Sequence, residues 1–260
     1  MDSRDEKLDR ASDLSEIIRQ VQARTPARLL AGRSGAAYRT STQMDLREAH
    51  AAARDAVRAE MNLLADFGDD FVRQWNLFEV SSQARNKDEY LLRPDLGRRL
   101  EKSSREEISK RCSEASDLQI VIGDGLSVTA IAAQVPKLLP LLHDGALLRG
   151  WSVGQLFAIR YCRVGILNEI GELISPKVVI LLIGERPGLA TAESLSAYMA
   201  YRPKWSDTDA QRNLISNIHA RGVGPQQAAA RILNLAAAMM AAQHSGYELR
   251  EEKLGLLRQD

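Results

Sequence analysis

The chain has 260 residues, 45% of them hydrophobic, with 35 Lys and Arg against 34 Asp and Glu and a net charge of +1. That length and apolar content suit one large soluble domain or two modest ones. The near-zero net charge gives no global field for nucleic acid or an anionic membrane. No apolar run reaches the roughly eighteen residues that a membrane span requires, and residues 1–24 lack the apolar centre of a signal peptide. Cys112 and Cys162 stand far apart without metal-site spacing, which points to a reducing compartment, the cytoplasm, rather than to a disulfide framework.

In chain order, Leu14, Ile17, Ile18 and Val21 fall at helical spacing behind a Ser12 or Asp13 cap, so a short amphipathic docking helix is expected there. Gly32 and Gly35 flank Arg33 and Ser34 in a loop that also carries Tyr38 and Arg39; an alanine-rich helix should follow from about Asp45 through Asp66. The basic loop admits two readings, an anion site ahead of a helix or ordinary solvated arginines. Pro94 and Asp95 read as a helix start, the helix continuing through SSREEISKRCSEA.

The pattern then changes. DLQIVIGDGLSVTAIAAQ is a β-branched run, a tight Gly123-Asp124-Gly125 turn and an apolar helix capped by Ser127. QLFAIRYCRVG and VVILLIG follow as further strands, each ending in turn residues. Uninterrupted apolar strands alternating with helices predict an α/β fold, Rossmann-like, with a mainly parallel sheet covered on both faces. A last helix should start at Pro225, carry Ile232, Leu235 and Met239 on one face, and stop by Gly246. The change of pattern sets a boundary near residue 115, between an N-terminal helical region over 1–115 and the Rossmann-like region over 116–260. No internal repeat is present.

Ligands in parallel sheets bind beyond the carboxyl ends of the strands, which is where Asp124 and Glu185 fall. Asp124 serves either a ligand or a tight turn and helix cap; Glu185 and Arg186 serve either a ligand or a surface ion pair. His219, ahead of a glycine-rich loop, is either an acid, base or ligand, or structural. The dinucleotide fingerprint, the P-loop and the nucleophile elbow are all missing, so a ligand-binding subunit fits better than a self-sufficient enzyme.

Taken together, LLAGRSGAAYRTS, AHAAARDAVRAE, LLRPDLGRRL, VIGDGLSVTAI, RYCRVGILNEIGE, VVILLIGERPGL, ESLSAY and ISNIHARG resemble, in this order, the small subunit of ethanolamine ammonia-lyase. The resemblance spans roughly residues 28–246. It implies an adenosylcobalamin-dependent enzyme of six large and six small chains, with no nucleic acid or membrane partner. The large subunit would hold ethanolamine, the small subunit would close over the corrin, and the 1–115 region would dock on the large chain. Homolysis of the cobalt–carbon bond would start a radical rearrangement of ethanolamine that ends in acetaldehyde and ammonia.

By the same resemblance, Val164 and Glu185 match cobalamin-binding positions, Val164 by apolar contact and Glu185 by a hydrogen bond to a peripheral amide or hydroxyl. A third position, a cysteine in the family, falls on Leu214, where contact must be apolar or through the backbone. No catalytic residue and no metal ligand is assigned to this chain. The N-terminus is short beside family members that carry a segment for packaging into a bacterial microcompartment, which speaks against such packaging here. The competing reading is a structural subunit that only stabilises its large partner.

Overall fold

A computed structural model describes residues 16–23, 32–188 and 191–251. Residues 16–23 are helical, with Ile18 and Val21 half-buried and Ile17 exposed; the expected cap and Leu14 lie outside the described residues. Arg33, Ser34, Ala37 and Tyr38 form a small hairpin, β1 (Arg33–Ser34) and β2 (Ala37–Tyr38), where a loop was expected. Gly35 makes its turn at φ +61°, a conformation that costs glycine nothing.

The alanine-rich helix is shorter and earlier than its composition suggests. Helix α1 runs over Thr40–Arg58, and a separate short α2 covers Leu63–Phe67. Between them the chain turns to bury Met61, 2% exposed, in the core. Asn62 then opens α2 by accepting from the Ala65 amide, while the Asp66 carboxylate accepts from the Asn62 amide. Burial of one side chain and a reciprocal cap outweigh alanine's preference for one continuous helix. Helices α3 (Asp69–Gln74) and α4 (Lys87–Leu92) follow on either side of strand β3 (Phe78–Ser81).

Pro94 and Asp95 do not start a long helix either. They lead into one 3-10 turn, Leu96–Arg98, and helix α5 begins only at Lys102, running to Arg111. The interruption has a cause: Gln83 donates to the Arg99 carbonyl, Glu101 donates to the Ser81 carbonyl, and the Leu100 amide donates to the buried Glu169 carboxylate at 2.6 Å. Residues 99–101 are thus held extended beside the end of β3.

Six strands form one sheet in the order β3-β5-β4-β6-β7-β8: β4 (Leu118–Gly123), β5 (Phe157–Arg160), β6 (Val178–Gly184), β7 (Leu195–Tyr201) and β8 (Asn213–Ile218), with β3 at one edge. The pairings among β3, β5, β4 and β6 are parallel; β7 and β8 add antiparallel at the other edge. The architecture is α/β with a mainly parallel sheet, and it draws β3 from ahead of residue 115. Strands β4 and β6 are buried along their whole length, as a sheet covered on both faces requires.

One face packs Ile120, Ile122, Ile180 and Leu182 against helices α6 (Val128–Leu147) and α8 (Pro225–Ala242), where Ile232, Leu235 and Met239 are all buried. The last helix therefore ends at Ala242, with Gln243 left-handed at φ 56°, ahead of Gly246. The opposite face packs Val121, Val179 and Leu181 against α7 (Ile166–Ile174) and Ile108 of α5. Among the described residues no helix is long and apolar enough to cross a membrane.

Helix α7 lies so close to the segment after β7 that a Cβ on Gly171 would collide with the Pro203 carbonyl oxygen. Gly171→Ala is expected to cost about 2 kcal/mol and to lower the thermal midpoint by roughly 4–8 °C for a chain of this size; an unchanged melting curve would show that the helix can shift freely. Cys112 and Cys162 are both free and buried. Burial pushes the Cys112 thiol up to about 11 and Cys162 well above its usual value, so a thiol reagent at neutral pH should label neither in the folded chain and both after denaturation.

Candidate functional site

The carboxyl ends of β4, β5 and β6 meet at one side of the sheet and are tied to one another. After β4, the Asp124 side chain is fully buried, and its Oδ1 accepts from the Cys162 amide at 2.8 Å, joining the turn after β4 to the loop after β5. The Leu126 amide donates to the Gly184 carbonyl at the end of β6. Gly125 turns the chain at φ +56°, packed so tightly against Gly184 that a Cβ there would collide with that same carbonyl. Asp124 caps no helix: Ser127 caps α6, accepting from the Ala130 amide and donating to the Ala192 carbonyl of the β6–β7 loop.

Lys87, at the start of α4 and 5% exposed, reaches over this turn. Its ammonium donates to the Gly125 carbonyl at 3.2 Å and lies 3.6 Å from Asp124 Oδ2. Burial pushes the Asp124 carboxyl up and the Lys87 ammonium down, each opposed by the charge of the other. Tyr90, one turn on, donates to the Cys162 carbonyl at 2.9 Å and carries the Arg163 guanidinium over its ring at 4.2 Å. Burial raises the Tyr90 phenol, which stays protonated. Helix α4 is thus a brace across the ends of β4 and β5. Sequence reading passed over Lys87 and Tyr90 because they sit in a charged stretch, QARNKDEYLL, with no signal that one lysine in it is buried.

Glu185 follows β6 directly. Its carboxylate accepts from Ser194 Oγ at 2.6 Å, from Ser196 Oγ at 2.6 Å and from the Asn217 amide at 2.9 Å, so the ion pair with Arg186 that its neighbour suggested does not form. Ser194 just ahead of β7, Ser196 in β7 and Asn217 in β8 supply those donors, and the sequence reading marked neither strand. His219 is buried: its Nε2 meets Asn217 Oδ1 at 2.7 Å and its Nδ1 accepts from the Arg221 amide. That fits the tautomer with hydrogen on Nε2 and makes His219 a support for Asn217, held at φ 61°, and through it for Glu185.

Val164 and Glu185 open into the same cleft of about 260 Å³, with Tyr90, Arg163, Ile183 and Tyr198 among its other walls. Val164 is half-buried beside apolar residues of the α7 face. Leu214 is 44% exposed and lines a neighbouring depression instead. It stands opposite Tyr198 in the β7–β8 ladder, so it shares the sheet face of that cleft wall. The hairpin residues Arg33 and Tyr38 stack on one another, 5.2 Å from guanidinium carbon to ring centre, and stay exposed away from the cleft. Among the described residues no group of His, Cys, Asp and Glu could hold a metal ion.

The sequence matches the family described as ethanolamine ammonia-lyase light chain (EutC) over residues 15–250. The chain belongs to that family. It is similar to the ethanolamine ammonia-lyase small subunit of Clostridium perfringens, 42% identical over 90% of this chain and 78% of the relative. The protein of that name from Lachnoclostridium phytofermentans is 40% identical over 94% and 80%, and the one from Clostridium acetobutylicum is 38% identical over 90% and 95%.

The buried pair makes a test of the brace. Lys87→Met leaves the Asp124 carboxylate without its counter-charge and should cost about 3–5 kcal/mol in denaturant unfolding. Adding Asp124→Asn to it should recover part of that loss. If Lys87→Met alone left stability unchanged, the pair would not be what closes this end of the sheet.

Proposed function

We propose that the chain acts as the small subunit of an ethanolamine ammonia-lyase, and that the cleft at the ends of β4, β5 and β6 holds one edge of an adenosylcobalamin against a large partner subunit. The observation that carries this reading is Glu185. Its carboxylate is fixed by donors from two strands, yet Oε2 has a single protein donor, Ser194 Oγ, and a carboxylate oxygen accepts two. One acceptor position is left beside an apolar wall, a combination that suits an amide-bearing ligand rim.

The residues fit the cofactor in kind and in size. A cleft of about 260 Å³ takes a corrin's edge or side arm and leaves most of the macrocycle for another chain to cover. Val164 would press on an apolar part of the rim, Glu185 would accept from a side-arm amide, and Leu214 would extend the contact from the neighbouring strand. When bound, the cofactor supplies the radical chemistry that converts ethanolamine to acetaldehyde and ammonia. What this chain's residues do is bind, orient and keep water away from one side of it.

The relatives are named small subunits, which supports pairing with a large one. Helix α1 suits docking because Ala56 is its one buried residue. We extend the proposal to six large and six small chains, with ethanolamine held by the large subunit, and to the cytoplasm, where two free cysteines persist unoxidised.

Absorbance titration with adenosylcobalamin tests the reading on this chain alone, on the large subunit alone and on the two co-expressed. Only the pair should bind tightly and release ammonia from ethanolamine. Glu185→Ala in the co-expressed complex should weaken cofactor binding about tenfold while the large subunit still co-purifies. Unaided binding and turnover by the large subunit would reduce this chain to a stabilising scaffold.

A further inference from the structure

Tyr161 follows β5 directly and is the one aromatic residue with a positive φ, 57°, among those described. A bulky side chain in the left-handed region is strained. Such residues persist only where their surroundings over-determine them, and they cluster at ligand clamps. The next three residues, Cys162, Arg163 and Val164, line the cleft. Where Tyr161 sits therefore decides where that wall stands.

Most of what holds this turn comes from the sheet and its flanking turns. Ser82 Oγ donates to the Tyr161 carbonyl at 2.9 Å, the Cys162 amide donates to Asp124, and the Arg163 amide donates to the Gly97 carbonyl. The phenol is held from elsewhere. It donates to Glu60 Oε2 at 3.0 Å, and the same carboxylate oxygen accepts from the Arg160 guanidinium at 2.7 Å. Arg160 also reaches the phenol oxygen at 3.4 Å and Glu79 at 3.6 Å. Burial raises the Tyr161 phenol, so it stays protonated and is the donor to Glu60.

Glu60 lies between α1 and α2 with its side chain 45% exposed, so as an ion pair alone it contributes little to stability. Nor does it need the pair to stay in place, because the adjacent Met61 is sunk in the core. An exposed carboxylate on a fixed backbone, set against the phenol of a strained residue, suits holding that residue rather than the fold. We infer that Glu60 is a positioning residue, which through the Tyr161 phenol keeps the loop after β5 in its ligand-ready conformation. The inference rests on the cobalamin reading above and deepens it, since a loop held in advance leaves less to be ordered on binding. The rival reading is a surface ion pair that only fastens the linker between the two helices.

Two readouts on the co-expressed complex test this, one of them free of corrinoid. Before corrinoid is added, the buried Cys162 can meet a thiol reagent only when the loop opens, and Cys112, also buried, serves as the control. Glu60→Ala should speed the slow labelling of Cys162 about fivefold and leave Cys112 unchanged. By absorbance titration its affinity for adenosylcobalamin should fall by a similar factor, about fivefold, with the large subunit still bound and the unfolding midpoint unmoved. Tyr161→Phe should have the same effects, and the double variant should be no worse than either alone, as two residues acting through one hydrogen bond require. Glu60→Gln keeps an oxygen for the phenol and should retain most of the wild-type affinity.

Equal acceleration at both cysteines would mark a general loss of stability and overturn the inference. So would additive losses in the double variant, or an unchanged affinity for adenosylcobalamin; each of these leaves the cobalamin reading standing. A loss of affinity that came only with release of the large subunit would overturn it in favour of the fastened linker. If the wild-type complex bound no adenosylcobalamin, the cobalamin reading itself would fall, and the inference with it.

Discussion

A carboxylate with no exposure to water organises this end of the molecule. Asp124 accepts from the Cys162 amide and lies 3.6 Å from the Lys87 ammonium, and burying it without them would be costly. To satisfy it, the turn after β4 must lie against the loop after β5, and α4 must lie across both. The loop carrying Arg163, Val164 and Gly165 inherits its position from that requirement.

The other wall of the cleft is built on a different principle. Parallel strands alone would leave the end of β6 open, because each must return through a crossover before the next can pair. Here the chain doubles back after Glu185 into β7 and then β8, both antiparallel. The doubling back brings Ser194, Ser196 and Asn217 within reach of the Glu185 carboxylate. A side chain flanked by solvent-facing Arg186 is thereby held in one orientation before any ligand arrives, which reduces what must be ordered on binding. His219, structural in its contacts, belongs to that support.

Which parts were legible in the sequence follows from the range of the interactions involved. The runs at Leu118–Gly123, Phe157–Arg160 and Val178–Gly184 were readable because a strand buried on both faces is nearly all apolar, Gln119 and the terminal Arg160 being the exceptions. The last helix was readable from its spacing and from Pro225. The alanine-rich helix was overextended because propensity is local, while the turn that ends it exists to bury Met61. The break before Lys102 comes from hydrogen bonds to Ser81, Gln83 and Glu169, none of them local in sequence. Strand β7, LSAYMAY, was missed since its pattern is neither alternating nor uniformly apolar.

The sequence by itself determined the strand-turn-helix units, the polar residues at strand ends and, through its motifs, the family. All of these depend on residue type and near-neighbour spacing. Only the tertiary structure decided that Asp124 is a buried anchor, that Lys87 and Tyr90 brace the site from ahead of the sheet's centre, and that Glu185 is held by serines instead of Arg186. It also separated Leu214 from the cleft that Val164 and Glu185 share. Those outcomes turn on desolvation and on donors supplied from distant strands, and neither quantity is defined until the chain has folded and excluded water.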